Sequence, residues 1–205
     1  MPSDQNFVLR STVTSPFGRK VRMAIDVLGL SDRVTMAPAD TLDESDTLRQ
    51  QNPLGKMPCL LLADGTAMYD SGVIIEFLAD AAGDDRLLPT SGMARFKALT
   101  LARLADGITE AAILMVYEGR FRDTGAHSER WLAHQRGKIT RALSAFERTP
   151  PDPAKTDIVS IGLSCALGYL DWRKPVEWRN AYPVLAAWLA AFAQHEASFA
   201  RTRAP

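Results

Sequence analysis

The run NPLGKMPCLLLADGTAMYDS, Asn52 to Ser71, decides how the first half of the chain folds. Two apolar stretches, Cys59-Leu60-Leu61-Leu62-Ala63 and Ala67-Met68-Tyr69, flank Asp64-Gly65-Thr66. Asp-Gly between two such stretches is the turn signal of an antiparallel hairpin. Upstream, Asn52–Met57 forms a Pro- and Gly-bearing loop and Pro58 heads the first strand. An X-Pro bond at that place is a candidate for the cis form, which about 5–6% of folded X-Pro bonds adopt. A cis Met57–Pro58 bond would turn the Met57 backbone N–H and C=O outward, where an extended peptide can pair with them as an added strand. A plain loop leading into the strand is the other reading. Downstream, Asp70 or Ser71 opens a helix that runs to about Ala82.

Working outward from the hairpin, Phe7-Val8-Leu9 is a strand that ends at the polar run Ser11–Ser15. Pro16 suits the first position of a helix, where its missing N–H costs nothing. Val21, Ala24, Ile25 and Leu28 recur at helical spacing up to a stop at Gly29. Val34-Thr35-Met36 reads as a second strand. Thr41 and Glu44 make a T-x-x-E capping box for a short helix through about Gln50. The order β-α-β-α-β-β-α predicts a small mixed sheet covered by helices.

Gly83 to Gly92 is polar and carries Gly and Pro, as a linker would. Beyond it the pattern predicts helices only: 93–120 and 128–148, broken near Asp123-Thr124-Gly125, then a hard stop at Thr149–Pro153. Asp157 caps a helix buried on most sides, to about Trp172, and Pro183 opens a last amphipathic helix. The expected division is 1–83, a linker at 84–92, and 93–205.

Lys plus Arg equals Asp plus Glu at 24 each. That balance supplies no basic field for nucleic acid or an anionic membrane, so small-molecule partners fit better. The longest uncharged stretch, Ile158 to Leu170, falls short of the roughly 20 residues that span a bilayer. The first residues lack both the basic and the apolar parts of a signal peptide. Cys59 and Cys165 read as buried free thiols of a reducing, cytoplasmic setting. His127, His134 and His195 have no metal-ligand spacing, so surface positions and no metal are expected.

Three constellations can carry chemistry. Thr14-Ser15-Pro16-Phe17 places hydroxyls in the turn before a helix, where N–H groups and the helix dipole stabilise an anion; alternatively Ser15 only caps that helix. Lys56-Met57-Pro58 offers a cation beside a pairing edge. Ser71 and the first-turn N–H groups can hold an α-carboxylate while Asp70 meets an ammonium, or both residues simply cap.

The blocks SPFGRKVRMAIDVLGL (15–30), NPLGKMPCLLLADG (52–65) and YDSGVIIEFLAD (69–80), with their spacing, resemble glutathione transferases. ALGYLDWR (166–173) and YPVLAAWLAAF (182–192) are similar to stretches in soluble bacterial members. The resemblance implies an α/β plus all-α architecture: a thioredoxin-like N-terminal domain followed by an all-helical C-terminal domain. It implies glutathione as co-substrate, with Ser15, then Thr14 and Thr12 as rivals, at the sulfur. Phe17, Lys56, Met57, Pro58, Asp70 and Ser71 would surround the tripeptide. The electrophile pocket would lie between the Ser15 loop and the second domain, lined by Met115, Tyr117, Phe121, Tyr169 and Trp172. A homodimer and a conjugating activity on small, mostly apolar electrophiles in the cytoplasm are implied. A ligand-binding or interaction module without turnover is the alternative. The chain lacks the Cys of the reductase members and their isomerase relatives' Ser-Ser-x-Cys-Ser run. Where many relatives have Arg-Pro-Ser-Phe, it has Glu196-Ala197-Ser198-Phe199.

Overall fold

The structure is a computed structural model that describes residues 6–123 and 125–205. The reading of the first residues as free of a signal peptide, and Thr124 of the expected helix break, lie outside the described residues. Two compact units form: one holds the chain through Thr90 together with Ser198–Pro205, the other Ser91–Ala197.

In the first unit the elements run β1 (Phe7–Arg10), α1 (Pro16–Val27), β2 (Val34–Ala37), α2 (Leu48–Gln51), β3 (Cys59–Leu61), β4 (Ala67–Met68) and α3 (Ser71–Ala82), with one 3-10 turn at Ser31–Arg33. The sheet order is β2-β1-β3-β4. β1 and β2 are parallel, as a helical crossover requires, and the other pairs are antiparallel. Along β1, Phe7 and Leu9 are buried while Val8 and Arg10 are less so, the period-two alternation of a strand. Leu9 sits opposite Leu60, and Phe7 meets Phe77 of α3 edge-on at 5.7 Å. Leu60, Ile74, Ile75 and Leu78 complete a core without solvent exposure.

The hairpin forms as its Asp-Gly signal predicts. Leu62 N–H donates to the Thr66 carbonyl at 2.8 Å, and the Asp64 carboxylate takes the Thr66 N–H at 2.9 Å. The helix expected from a Thr41–Glu44 capping box does not form there: α2 begins only at Leu48. The carboxylates of Asp40, Asp43 and Asp46 each accept the N–H two residues on, from Leu42, Ser45 and Leu48. Aspartates that bond their own chain in this way hold turns in place of helix.

The second unit comprises α4 (Gly92–Phe121), α5 (Glu129–Arg148), α6 (Ile158–Arg173) and α7 (Pro183–His195). α6 is buried along nearly its whole length, as its all-round apolar sequence requires. Asp157 and Ser160 form a reciprocal capping box at its start: Asp157 Oδ1 accepts the N–H groups of Val159 and Ser160, and Ser160 Oγ accepts the Asp157 N–H at 2.8 Å. Glu147 of α5 accepts the Val184 and Leu185 N–H groups, both at 2.9 Å, satisfying donors that Pro183 leaves open at the start of α7. A final short helix, α8 (Ala197–Arg201), follows; it is absent from the sequence reading.

The closing residues group with the first unit through α1. Arg19, 7% exposed, donates to the Phe199 carbonyl at 2.6 Å and lies 4.2 Å from the Phe199 ring centre. Arg201 pairs with Asp26 at 2.7 Å. Phe199 therefore docks on α1. Within the stretch read as a linker, Leu87 and Leu88 are buried.

Candidate functional site

The sheet register brings three turns to one end. β1 ends at Arg10, opposite Cys59, where β3 begins, and β4 ends at Met68, opposite Leu60. Ser11–Ser15, Lys56–Pro58 and Tyr69–Ser71 therefore all leave the sheet at the same edge. No distance in the sequence predicts this; it follows from one parallel and two antiparallel pairings.

Ser15 is the N-cap of α1, with its Oγ accepting the Gly18 N–H at 3.0 Å and Pro16 following at the first helical position. Capping uses a lone pair of the hydroxyl and leaves its hydrogen to donate, so the two readings of Ser15 are compatible. An added Cβ at Gly18 would come 1.9 Å from Ser11 Oγ and 3.1 Å from Ser15 Cβ, so a larger residue there would have to turn the Ser11 hydroxyl aside. Thr12 and Thr14 hydroxyls are 3.0 Å apart, and Thr12 Oγ1 also lies 3.5 Å from the Met57 sulfur. The hydroxyl turn and the Met57 side chain thus touch. Phe17 is half-buried, with Lys20 Nζ 5.7 Å from its ring centre.

The Met57–Pro58 bond is cis. Lys56 is exposed, Met57 half-buried and Pro58 buried. This loop is held by Asn52, which is 2% exposed and which sequence reading did not single out. Its side-chain amide donates to the Lys56 carbonyl at 2.8 Å and accepts the Leu54 N–H at 3.0 Å. Its backbone accepts from Gly55 and donates to Leu48. The signal available beforehand was an Asn-Pro directly after a helical turn, a pattern shared with ordinary loops. Cys59, just beyond, is fully buried, and burial pushes its thiol above the ordinary range against a smaller opposing effect of Arg10. It is a core residue, not a nucleophile.

At the third turn Asp70 caps α3, with Oδ1 accepting the Gly72 N–H at 2.7 Å. Ser71 is 2% exposed, and its Oγ has no hydrogen-bond partner among the described residues. A buried hydroxyl in that state costs about 1–3 kcal/mol. It sits in the first turn of α3, where the dipole favours an anion.

The expected electrophile residues all belong to the second unit. Tyr117 and Phe121, near the end of α4, pack edge-to-face at 5.2 Å and are exposed. Tyr169 and Trp172 of α6 pack at 6.1 Å; Tyr169 is buried and Trp172 half-buried. Burial raises the Tyr169 phenol above its ordinary value, Arg173 opposes this, and Tyr117 adds to it, which links the two pairs. Met115 is buried within the helix packing. His127, His134 and His195 are all exposed. Among the described residues no three His, Cys, Asp or Glu side chains form a metal-binding group, and no helix is long and apolar enough to cross a membrane.

Comparison with known proteins agrees with this architecture. Residues 14–81 match the glutathione S-transferase N-terminal domain family. The chain is 33% identical to the uncharacterized GST-like protein YibF of Escherichia coli K12 over 96% of its own length and 98% of that protein's. A glutathione transferase family member from Pseudomonas fluorescens Pf-5, solved with bound glutathione, superposes with a TM-score of 0.90 at 40% identity, covering 98% of this chain and all of that one. A glutathione S-transferase from Methylobacillus flagellatus, also with glutathione bound, gives 0.87 at 31% identity over 98% of this chain and all of that one. A thioredoxin-like unit followed by a helical second unit is the architecture shared with these glutathione transferases. The chain belongs to the glutathione S-transferase family.

Proposed function

We propose that this protein is a glutathione transferase that stabilises the glutathione thiolate and transfers it to small electrophiles. The observation that carries the reading is the buried, unpartnered Ser71 hydroxyl at the first turn of α3. The γ-glutamyl carboxylate of glutathione is the anion that would satisfy it, with Asp70 taking the adjacent ammonium. The Met57 backbone would pair with the cysteinyl residue and Lys56 would face the glycine carboxylate. Phe17, in the first turn of α1, would lie beside the sulfur. These contacts deliver the sulfur to the hydroxyl turn, where Ser15, or Thr14 beside it, donates to the anion.

The chemistry required is modest. A free thiol of pKa near 8.5 is only a few per cent ionised at neutral pH, and each unit of depression corresponds to about 1.4 kcal/mol. One hydroxyl donor with the α1 dipole supplies one to two such units. Glutathione bound to the Pseudomonas and Methylobacillus relatives supports the ligand; their reactions are not carried over. The electrophile is assigned to the aromatic side chains of α4 and α6, with Met115 behind them. The exposed apolar side chains of α4, Met93 and Phe96 among them, support a homodimer, which sedimentation at micromolar concentration tests.

The direct test is the ultraviolet thiolate band of bound glutathione near neutral pH. Wild type should show it, Ser15→Ala should lose most of it while still binding, and Ser71→Ala should weaken binding by about tenfold. Glutathione bound by wild type with no thiolate band would instead favour a binding module without turnover.

A further inference from the structure

The last turns of α4 and α6 carry two guanidinium groups that no carboxylate among the described residues pairs with. Arg120 lies 5.8 Å from the Tyr117 ring centre and 5.6 Å from that of Phe121. Arg173 stacks on Trp172 at 3.7 Å, and its charge opposes the upward shift of the Tyr169 phenol. Both arginines are exposed. The acidic side chains nearest in sequence are engaged elsewhere. Glu118 accepts the Ser128 N–H at 2.8 Å and pairs with Arg122 at 3.1 Å. Asp171 accepts from the Trp178 indole and pairs with Arg179 at 2.6 Å. Neither Arg120 nor Arg173 has an ion pair among the described residues.

A guanidinium held over an aromatic face keeps its in-plane N–H groups available, and those groups match a carboxylate in pairs. The rings beside them offer flat apolar area. Together they describe a ligand with an aromatic or other flat apolar body and an anionic end. Resting on the transferase reading, we propose that the electrophile is a carboxylate-bearing aryl halide, its ring on Tyr117, Phe121 and Trp172 and its carboxylate on Arg120 and Arg173. In such a transfer the glutathione sulfur bonds to a ring carbon and the halide leaves with the carbon–halogen pair. The thiol proton has already passed to solvent, and the carboxylate takes no part except to orient the ring.

The test separates binding from turnover. Titration calorimetry on the full protein compares 4-nitrobenzoate with the uncharged 4-nitrobenzamide, in wild type and in the Arg120→Gln, Arg173→Gln double variant. Wild type should bind the carboxylate about tenfold more tightly than the amide, and the double variant should lose that preference while its affinity for the amide stays put. Equal affinities in wild type, or a preference that survives the double substitution, would overturn the proposal. Turnover of 4-chloro-3-nitrobenzoate against its methyl ester should follow the same pattern in kcat/KM. If the nitrobenzoate binds through the arginines and neither chloro compound is turned over, the transferase reading fails and the anion site stands. Both arginines are exposed, and thermal melts of the variants confirm that their fold is unchanged.

Discussion

In the first unit the proposed ligand contacts belong mainly to turns at one end of a sheet: a hydroxyl run, a backbone edge at Met57–Pro58 and a buried serine in a helix's first turn. In the second unit they are side chains on the final turns of two helices, aromatic rings with arginines laid over them. The first arrangement is fixed by hydrogen bonds and chain geometry, so single polar changes should alter what it binds. The second stands on close-packed α6, so its integrity should follow core volume, while its selectivity follows the charges at the rim. On the proposed reading the first unit holds one constant tripeptide, while the side chains of the second are free to vary with the electrophile.

The largest expected effect tests the packing side of this contrast. Leu163 of α6 is fully buried, and Leu163→Ala removes apolar contacts and leaves a cavity. A loss of about 2–5 kcal/mol is expected in urea unfolding. Glutathione affinity, measured where the variant remains folded, should be unchanged. A loss below about 1 kcal/mol would mean that α6 relaxes around the gap, and the picture of a rigid helical core would break.

Asn52 sharpens the other side. Asn52→Ala leaves the Lys56 carbonyl and Leu54 N–H without their partner in a buried loop, at about 1–3 kcal/mol. Because that loop carries Met57 and Lys56, the KM for glutathione should rise with little change in kcat. Asn52→Asp keeps the acceptor for Leu54 but sets a carboxylate against the Lys56 carbonyl, so it should not restore the KM. A stability loss with KM unmoved would reduce Asn52 to a structural role.

Much of the fold was legible because local signals agreed with one another. Pro16 after a capping Ser15, Asp64-Gly65 between apolar runs, and Asp157 before an all-round apolar helix each have one good solution. The stretch 41–47 misled because Thr41 and Glu44 fit a capping box by spacing, whereas the aspartates among them satisfy backbone donors locally. The three site turns were legible as motifs, but their convergence depends on strand register, which no local pattern contains. Asn52, Arg120 and Arg173 stayed hidden for a different reason. An Asn before Pro and an Arg in a helix's last turn are ordinary surface residues until burial and stacking distances single them out.

The smallest expected effect lies where α4 gives way to α5, in the unit whose stability otherwise follows packing. Glu118, with its side chain 5% exposed, is held below its ordinary value of 4.5, first by the Ser128 N–H and then by the field of Arg122, against the opposing effect of burial. A carboxyl whose native pKa is depressed stabilises the fold at pH values above its unfolded value and loses that contribution as pH falls through the native one. Wild type should therefore exceed Glu118→Gln in stability at neutral pH, and the gap should close as pH drops below 4.5. Glutamine can still accept the Ser128 N–H, so what disappears is the charge on that bond and the pairing with Arg122. Urea melts of both proteins at a series of pH values read the difference directly. A gap independent of pH would assign Glu118 to packing alone, like Leu163, and a gap that widened in acid would reverse the sign assigned to this carboxylate.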